Sequence, residues 1–147
     1  MKHTELMQIL LVEDSVADVE LTLEALSEAT IAYEVTVVRE GAAALAHLLA
    51  NANANASGPG RPDLVILDLN LPKMSGHEVL AAMRDHDDLR RLPVTILTTS
   101  SAEADVVRTY DLGANCYLTK PVDVDQFVHV VRSIEDFWLG LVRLPRQ

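Results

Sequence analysis

Short apolar runs recur along the chain at Ile9–Val12, Val35–Val38, Leu64–Leu67, Val94–Leu97 and Cys116–Leu118, each bounded by acids or turn formers. Several are β-branched and none alternates with polar residues, which is how strands buried on both faces read. Helical spacing fills the intervals. Val16, Val19, Leu23 and Leu26 recur at three or four, and Ser15 with Asp18 forms a capping-box signature just ahead of them. Ala42–Leu49, His77–Met83, Ala102–Leu112 and Val124–Trp138 are the other predicted helices. Strands alternating with helices in this way predict an α/β fold: a doubly wound, five-stranded parallel sheet flanked by five helices. The stretch Asn51–Pro62 is the odd one. Its Asn/Ala alternation disfavours a strand and its Gly/Pro run ends structure, so a frayed helix end and a long surface loop are expected there.

Composition narrows the class. At 147 residues, 49% of them hydrophobic, the chain suits one domain with a real core. The lone Cys116 excludes a disulfide framework and a thiolate metal cluster. Lys+Arg 12 against Asp+Glu 22 gives a net charge of -10, which argues against a phosphate-neutralising grip on nucleic acid and suits a hard cation or a basic partner. No targeting or membrane-spanning stretch is visible, so a cytoplasmic location is expected.

In a sheet of this kind, chemistry collects at the carboxyl ends of the strands. The residues found there are Glu13 and Asp14 after the first run, Asp68 after the third, Thr98 at the end of the fourth, and Lys120 with Pro121 after the fifth. Three carboxylates gathered at one edge need neutralising. Mg²⁺ is the natural candidate because it takes oxygen ligands and keeps positions open for water or phosphate. A nearby ammonium then suits a phosphoryl group, and Asp68 as nucleophile would form an aspartyl phosphate. Singly, each residue has an ordinary reading: Asp68 as a turn residue, Glu13-Asp14 as a helix N-terminus, Lys120 as a surface lysine. Jointly, in register, they favour the site. The histidines (His3, His47, His77, His86, His129) show no ligand spacing and read as surface or cap residues.

Four segments in order, Leu11-Val12-Glu13-Asp14, Leu67 to Gly76, Leu97-Thr98-Thr99-Ser100 and Tyr117 to Pro121, resemble the receiver domain of two-component response regulators. The resemblance implies a flavodoxin-like receiver fold over residues 1–138, with the extended loop at 51–62, and a C-terminal arm over 139–147. It implies that Asp68 accepts a phosphoryl group from a phosphohistidine on a sensor histidine kinase. Mg²⁺ would be held by Asp14 directly, by Glu13 through water, and by Asp68 and the Asn70 backbone carbonyl. It makes Thr98 and Lys120 the phosphate-contacting pair and Tyr117 the aromatic that follows Thr98. Asn70 and Ser100 would tune dephosphorylation, and a cis peptide is implied between Lys120 and Pro121. The chain would then be a phosphoacceptor that assists its own phosphotransfer and autodephosphorylation, not a turnover enzyme.

The end of the chain carries a further expectation. Phe127, Val131, Ile134 and Trp138 form one helical stripe, and Val130, Phe137 and Leu141 a second beside it. Together they exceed the ~100° that docking on one sheet requires, so a partner surface competes with a tail that folds back on its own domain. The ending resembles single-domain regulators of phytochrome-type histidine kinases, which implies a homodimer through Val130, Phe137, Trp138 and Leu141. The nine residues after Trp138 leave no room for a DNA-binding module, so output is expected through another protein, through the dimer, or through acting as a relay or phosphate sink. Two alternatives stay open. One is a haloacid-dehalogenase-like phosphatase, which usually has an acid where this chain has Asn70; the other is a pseudo-receiver that binds without phosphorylation.

Overall fold

The computed structural model describes residues 7–27, 33–51, 62–99, 103–114, 116–120 and 125. Strands and helices alternate through them: β1 (Met7–Val12), α1 (Val16–Leu26), β2 (Tyr33–Val38), α2 (Gly41–Ala50), β3 (Leu64–Leu67), α3 (Gly76–Arg84), β4 (Val94–Thr98), α4 (Glu103–Asp111) and β5 (Cys116–Thr119). The helix predicted over Val124–Trp138 lies, Asp125 apart, outside the described residues, as do 52–61 of the expected loop and the arm over 139–147. No helix among the described residues is long and apolar enough to cross a membrane.

The sheet runs β2-β1-β3-β4-β5, and every neighbouring pair is parallel. This is the flavodoxin-like order, whose switch point falls between β1 and β3. Successive strand side chains point to opposite faces. Leu10, Val12, Val65, Leu67, Val94 and Ile96 therefore join Ala44, Leu48, Val79, Leu80 and Met83 of α2 and α3 in one cluster. Ile9, Leu11, Leu64 and Ile66, on the other face, are just as buried, which is why these runs show no polar alternation. The second strand departs from the expectation. It begins at Tyr33, and its Glu34 and Thr36 are exposed between half-buried neighbours, because β2 is an edge strand covered mainly on one side.

Local chemistry sets the helix starts. Ser75 and Glu78 form a full capping box at α3, with Glu78 N–H donating to Ser75 Oγ (3.3 Å) and Ser75 N–H to Glu78 Oε1 (2.9 Å). At α1 half of the expected box forms. Asp18 N–H donates to Ser15 Oγ (3.2 Å), but Ser15 N–H donates to Glu13 Oε2 (3.1 Å) and not to Asp18. The Asp18 carboxylate is thereby released for another partner.

The loop from β3 to α3 is folded tightly against the strand end. Gly76 N–H donates to the Leu69 carbonyl (3.1 Å), and Lys73 takes a left-handed φ of 66°, a conformation that costs a non-glycine residue roughly 1–2 kcal/mol. A Cβ on Gly76 would stand 2.5 Å from the Asp68 carbonyl oxygen and 2.8 Å from Leu69 Cα, both backbone atoms with little freedom to yield. Gly76→Ala is expected to lower stability by about 1–3 kcal/mol, the usual cost of overpacking, read as a lower urea midpoint at unchanged m-value. An unchanged midpoint would show that the loop has room to shift.

Candidate functional site

The register of the sheet assembles the site. Val12 pairs with Leu67, so Glu13 and Asp68, the next residues along, emerge side by side at the switch point. Their backbones stay in the ladder, with Asp68 N–H donating to the Val12 carbonyl (3.0 Å) and Glu13 N–H to that of Val38 (3.0 Å). Thr98 pairs with Thr119, and Lys120 N–H donates to the Thr98 carbonyl (2.6 Å), which sends the lysine back over the same edge. Glu13, Asp68, Thr98 and Lys120 are all buried.

The Lys120 ammonium is the hub. Its Nζ lies 2.5 Å from Glu13 Oε1, 2.8 Å from Asp18 Oδ2 and 3.2 Å from Asp68 Oδ2, a contact for each of its three N–H donors. Asp68 Oδ1 also accepts from the Asn70 amide N–H (3.1 Å). The Asn70 side chain donates to Thr98 Oγ1 (3.1 Å) and Thr99 Oγ1 (3.3 Å). Burial pushes the Glu13 carboxyl up to about 7; its bond to Lys120 opposes this, while the adjacent Asp68 adds to it. Burial acts on Asp68 in the same sense, but hydrogen bonds from Glu13, the Asn70 amide and Thr98, with the Lys120 charge, outweigh it and hold Asp68 below the usual carboxylate range. Burial likewise works against the Lys120 charge, yet its bonds to Asp18 and Glu13 raise its affinity for the proton overall. The two neighbouring carboxyls therefore divide their roles: Glu13 takes the proton readily and Asp68 stays ionised.

The other expected residues fall as follows. Asp14 is exposed and its carbonyl accepts from Arg39 Nη2 (3.2 Å), so its carboxylate stands at the rim and not with the buried pair. Among the described residues no three acids, histidines or cysteines are already gathered as a metal cage. The donor set nevertheless fits a hard cation. Glu13 and Asp68 put carboxylate oxygens side by side in a buried pocket, Asp14 is adjacent, and Mg²⁺ needs one or two carboxylates, with water completing its shell. Tyr117 is half-buried on β5, opposite Ile96, and packs against the core cluster. Ser100, Pro121, Val130, Phe137, Trp138 and Leu141 lie outside the described residues. One histidine departs from its surface reading: His77, in the first turn of α3, is buried, with Nε2 3.4 Å from Asp105 Oδ1.

Sequence reasoning missed Asp18, which it read as a capping residue alone. A signal was present, because side chains in the first turn of a helix lean back toward its N-terminus. An acid there overhangs the end of the preceding strand.

Comparison with known proteins agrees with this architecture. The response regulator receiver domain model matches residues 9–132. Response regulator Rcp1 of Synechocystis sp. is 48% identical over 137 residues, which cover 93% of this chain and 92% of that protein. The phosphorylated cyanobacterial phytochrome response regulator RcpA superposes with a TM-score of 0.87 at 46% identity, covering 96% of this chain and 99% of its own. The Mn²⁺-bound form of Rcp1 gives 0.86 at 47%, covering 95% and 99%. With a buried acid pair and a lysine at the switch point of a 2-1-3-4-5 parallel sheet, and a family match over most of its length, this chain belongs to the response regulator receiver domain family.

Proposed function

We propose that this receiver accepts a phosphoryl group on Asp68 from the phosphohistidine of a phytochrome-type sensor kinase, in the cytoplasm, with Mg²⁺ held by Glu13, Asp14, Asp68 and the Asn70 carbonyl. The observation that carries the reading is the electrostatic division within the pocket. Of two adjacent buried carboxyls at the switch point, Asp68 is the one that accepts from both the Lys120 ammonium and the Asn70 amide, contacts that favour its ionised form. An ionised oxygen is what in-line attack on phosphorus requires: the O–P bond forms, the P–N bond breaks, and its electron pair returns to the imidazole ring. Mg²⁺, when bound, neutralises charge on the transferring oxygens. Lys120 then exchanges its contact with Asp68 for one with the new phosphoryl oxygens. The Thr98 hydroxyl, now bonded within the pocket, turns to the same group, and Tyr117 follows it.

The likeness to phytochrome response regulators supports the choice of kinase. The phosphatase alternative needs an acid in place of Asn70, whose side chain instead donates to Thr98 and Thr99. Assembly belongs to the same proposal: the wide apolar pattern from Val130 to Leu141 supports a homodimer through the last helix and the arm. Sedimentation of the intact chain should give a dimer, and truncation after Asp136 a monomer; two monomers overturn that part.

The experiment for the function is phosphotransfer. A phytochrome-type kinase labelled on its histidine should lose label to this chain as a base-labile phosphate. Retention of label by the kinase, while a small phosphodonor still labels Asp68, overturns the pairing and leaves the acceptor in place. Repeated turnover of an aryl phosphate would favour the phosphatase.

A further inference from the structure

We propose that Asp18 is a positioning residue, an alternative berth that keeps the Lys120 ammonium paired when a divalent cation draws on Glu13 and Asp68. The inference rests on the reading of this pocket as an Mg²⁺-assisted phosphoacceptor site and adds a residue to it. Lys120 is 7% exposed, and its ammonium has contacts with Glu13, Asp18 and Asp68. Two of these acceptors are the carboxylates that an entering cation must use. A dication and an ammonium repel each other and compete for the same oxygens, and a buried ammonium without a carboxylate is strongly unfavourable.

Asp18 stands apart from that competition. It comes from the first turn of α1 and not from a strand end, and it approaches the ammonium on its own at 2.8 Å. Its side chain is 29% exposed, against 3% for Glu13 and 7% for Asp68, so water can complete its hydrogen bonding in either state. It is also freed from capping duty, since Glu13 Oε2 takes the Ser15 N–H that a full capping box would assign to Asp18. With Asp18 in place, the ammonium surrenders Glu13 and Asp68 to the metal without losing its last counter-charge. Without it, Lys120 and the metal contend for the same two carboxylates.

A double-mutant cycle on metal affinity tests this, using isothermal titration of the full chain with Mg²⁺. Asp18→Asn preserves the shape and the backbone cap, and should weaken Mg²⁺ binding about tenfold, the effect of roughly 1.4 kcal/mol of charge competition. In a Lys120→Met background, where no ammonium competes, Asp18→Asn should leave affinity unchanged. Asp18→Ser and Lys120→Gln repeat the cycle with different side chains, and urea unfolding confirms that each variant is folded. An equal loss in both backgrounds would make Asp18 a direct ligand or a general source of negative potential, and overturns the proposal. So does no loss in either. A wild-type chain that takes up no Mg²⁺ overturns the reading of the pocket itself, a result distinct from a failed coupling.

Discussion

Asp68→Asn protein, incubated with a small phosphodonor and Mg²⁺, is expected to acquire no base-labile phosphate, while wild type is labelled to high occupancy. The substitution removes the nucleophilic charge and little else. Asparagine has nearly the shape of aspartate, and its carbonyl still accepts from the Asn70 amide. Lys120 keeps Glu13 and Asp18, so no buried cation is left uncompensated. The charge and the hydrogen bond through which Asp68 raises Glu13 also disappear, so the Glu13 carboxyl should titrate below its wild-type value. The variant should therefore stay folded near neutral pH, the relief at Glu13 offsetting part of the stabilisation that the ionised Asp68 supplied. This separates loss of chemistry from loss of structure: a folded, unlabelled variant fits the assignment, and a labelled one places the acceptor elsewhere. Asp68→Glu is a useful companion. It restores charge on a longer arm and should bind Mg²⁺ yet label poorly, because the oxygen overshoots the position that Asn70 and Lys120 define.

The residues legible in the sequence are those whose position follows from the strand pattern. Glu13 and Asp68 each follow an apolar run directly and Lys120 follows one after a single threonine, Thr119, and a parallel register brings such residues to one edge whatever the helices do. Thr98 follows from the same rule. The limits of the rule are just as physical. Glu13 and Asp14 read as one acidic pair with Asp14 the direct ligand, but consecutive residues leaving a strand point in different directions; Glu13 goes into the pocket and Asp14 to the rim. The Asp18–Lys120 contact spans 102 residues and joins a helix to a strand end, a relation no local pattern encodes. Arg84 is a stronger case. Its guanidinium donates to the carbonyls of Leu89, Arg90, Leu92 and Gly113, tying the β4 approach to the turn after α4. Backbone carbonyls carry no side-chain signature, so nothing in the sequence marks these partners. The β2 edge is hidden for a related reason: its alternation is visible only when the strand begins at Tyr33, two residues before the apolar run.

Acid titration of metal-free protein should reveal the tension stored in the pocket. The folded state holds the Glu13 proton up to about 7, against 4.5 for an ordinary glutamate, chiefly because of burial. Between those values the folded chain binds more protons at this site than the unfolded chain, so raising the pH through that window favours unfolding. The loss attributable to Glu13 is at most about 3 kcal/mol, and less to the extent that Asp68 shares the proton. Two neighbours stay silent there. Asp68 is depressed, so its contribution is complete above its ordinary 3.8 and disappears only in stronger acid; Lys120 is raised, so its contribution persists until the pH exceeds 10.5. His77 acts oppositely, since burial lowers its affinity for the proton and raising the pH toward 6.5 favours the folded state there. Glu13→Gln isolates the pocket from that background. In the presence of a chelator, wild type should lose stability relative to Glu13→Gln between about pH 5 and about pH 7. Mg²⁺ should reverse the trend, because a cation displaces the Glu13 proton and binds better as that proton leaves. Parallel urea profiles for the two proteins, with and without Mg²⁺, would show that Glu13 carries neither the proton nor the metal.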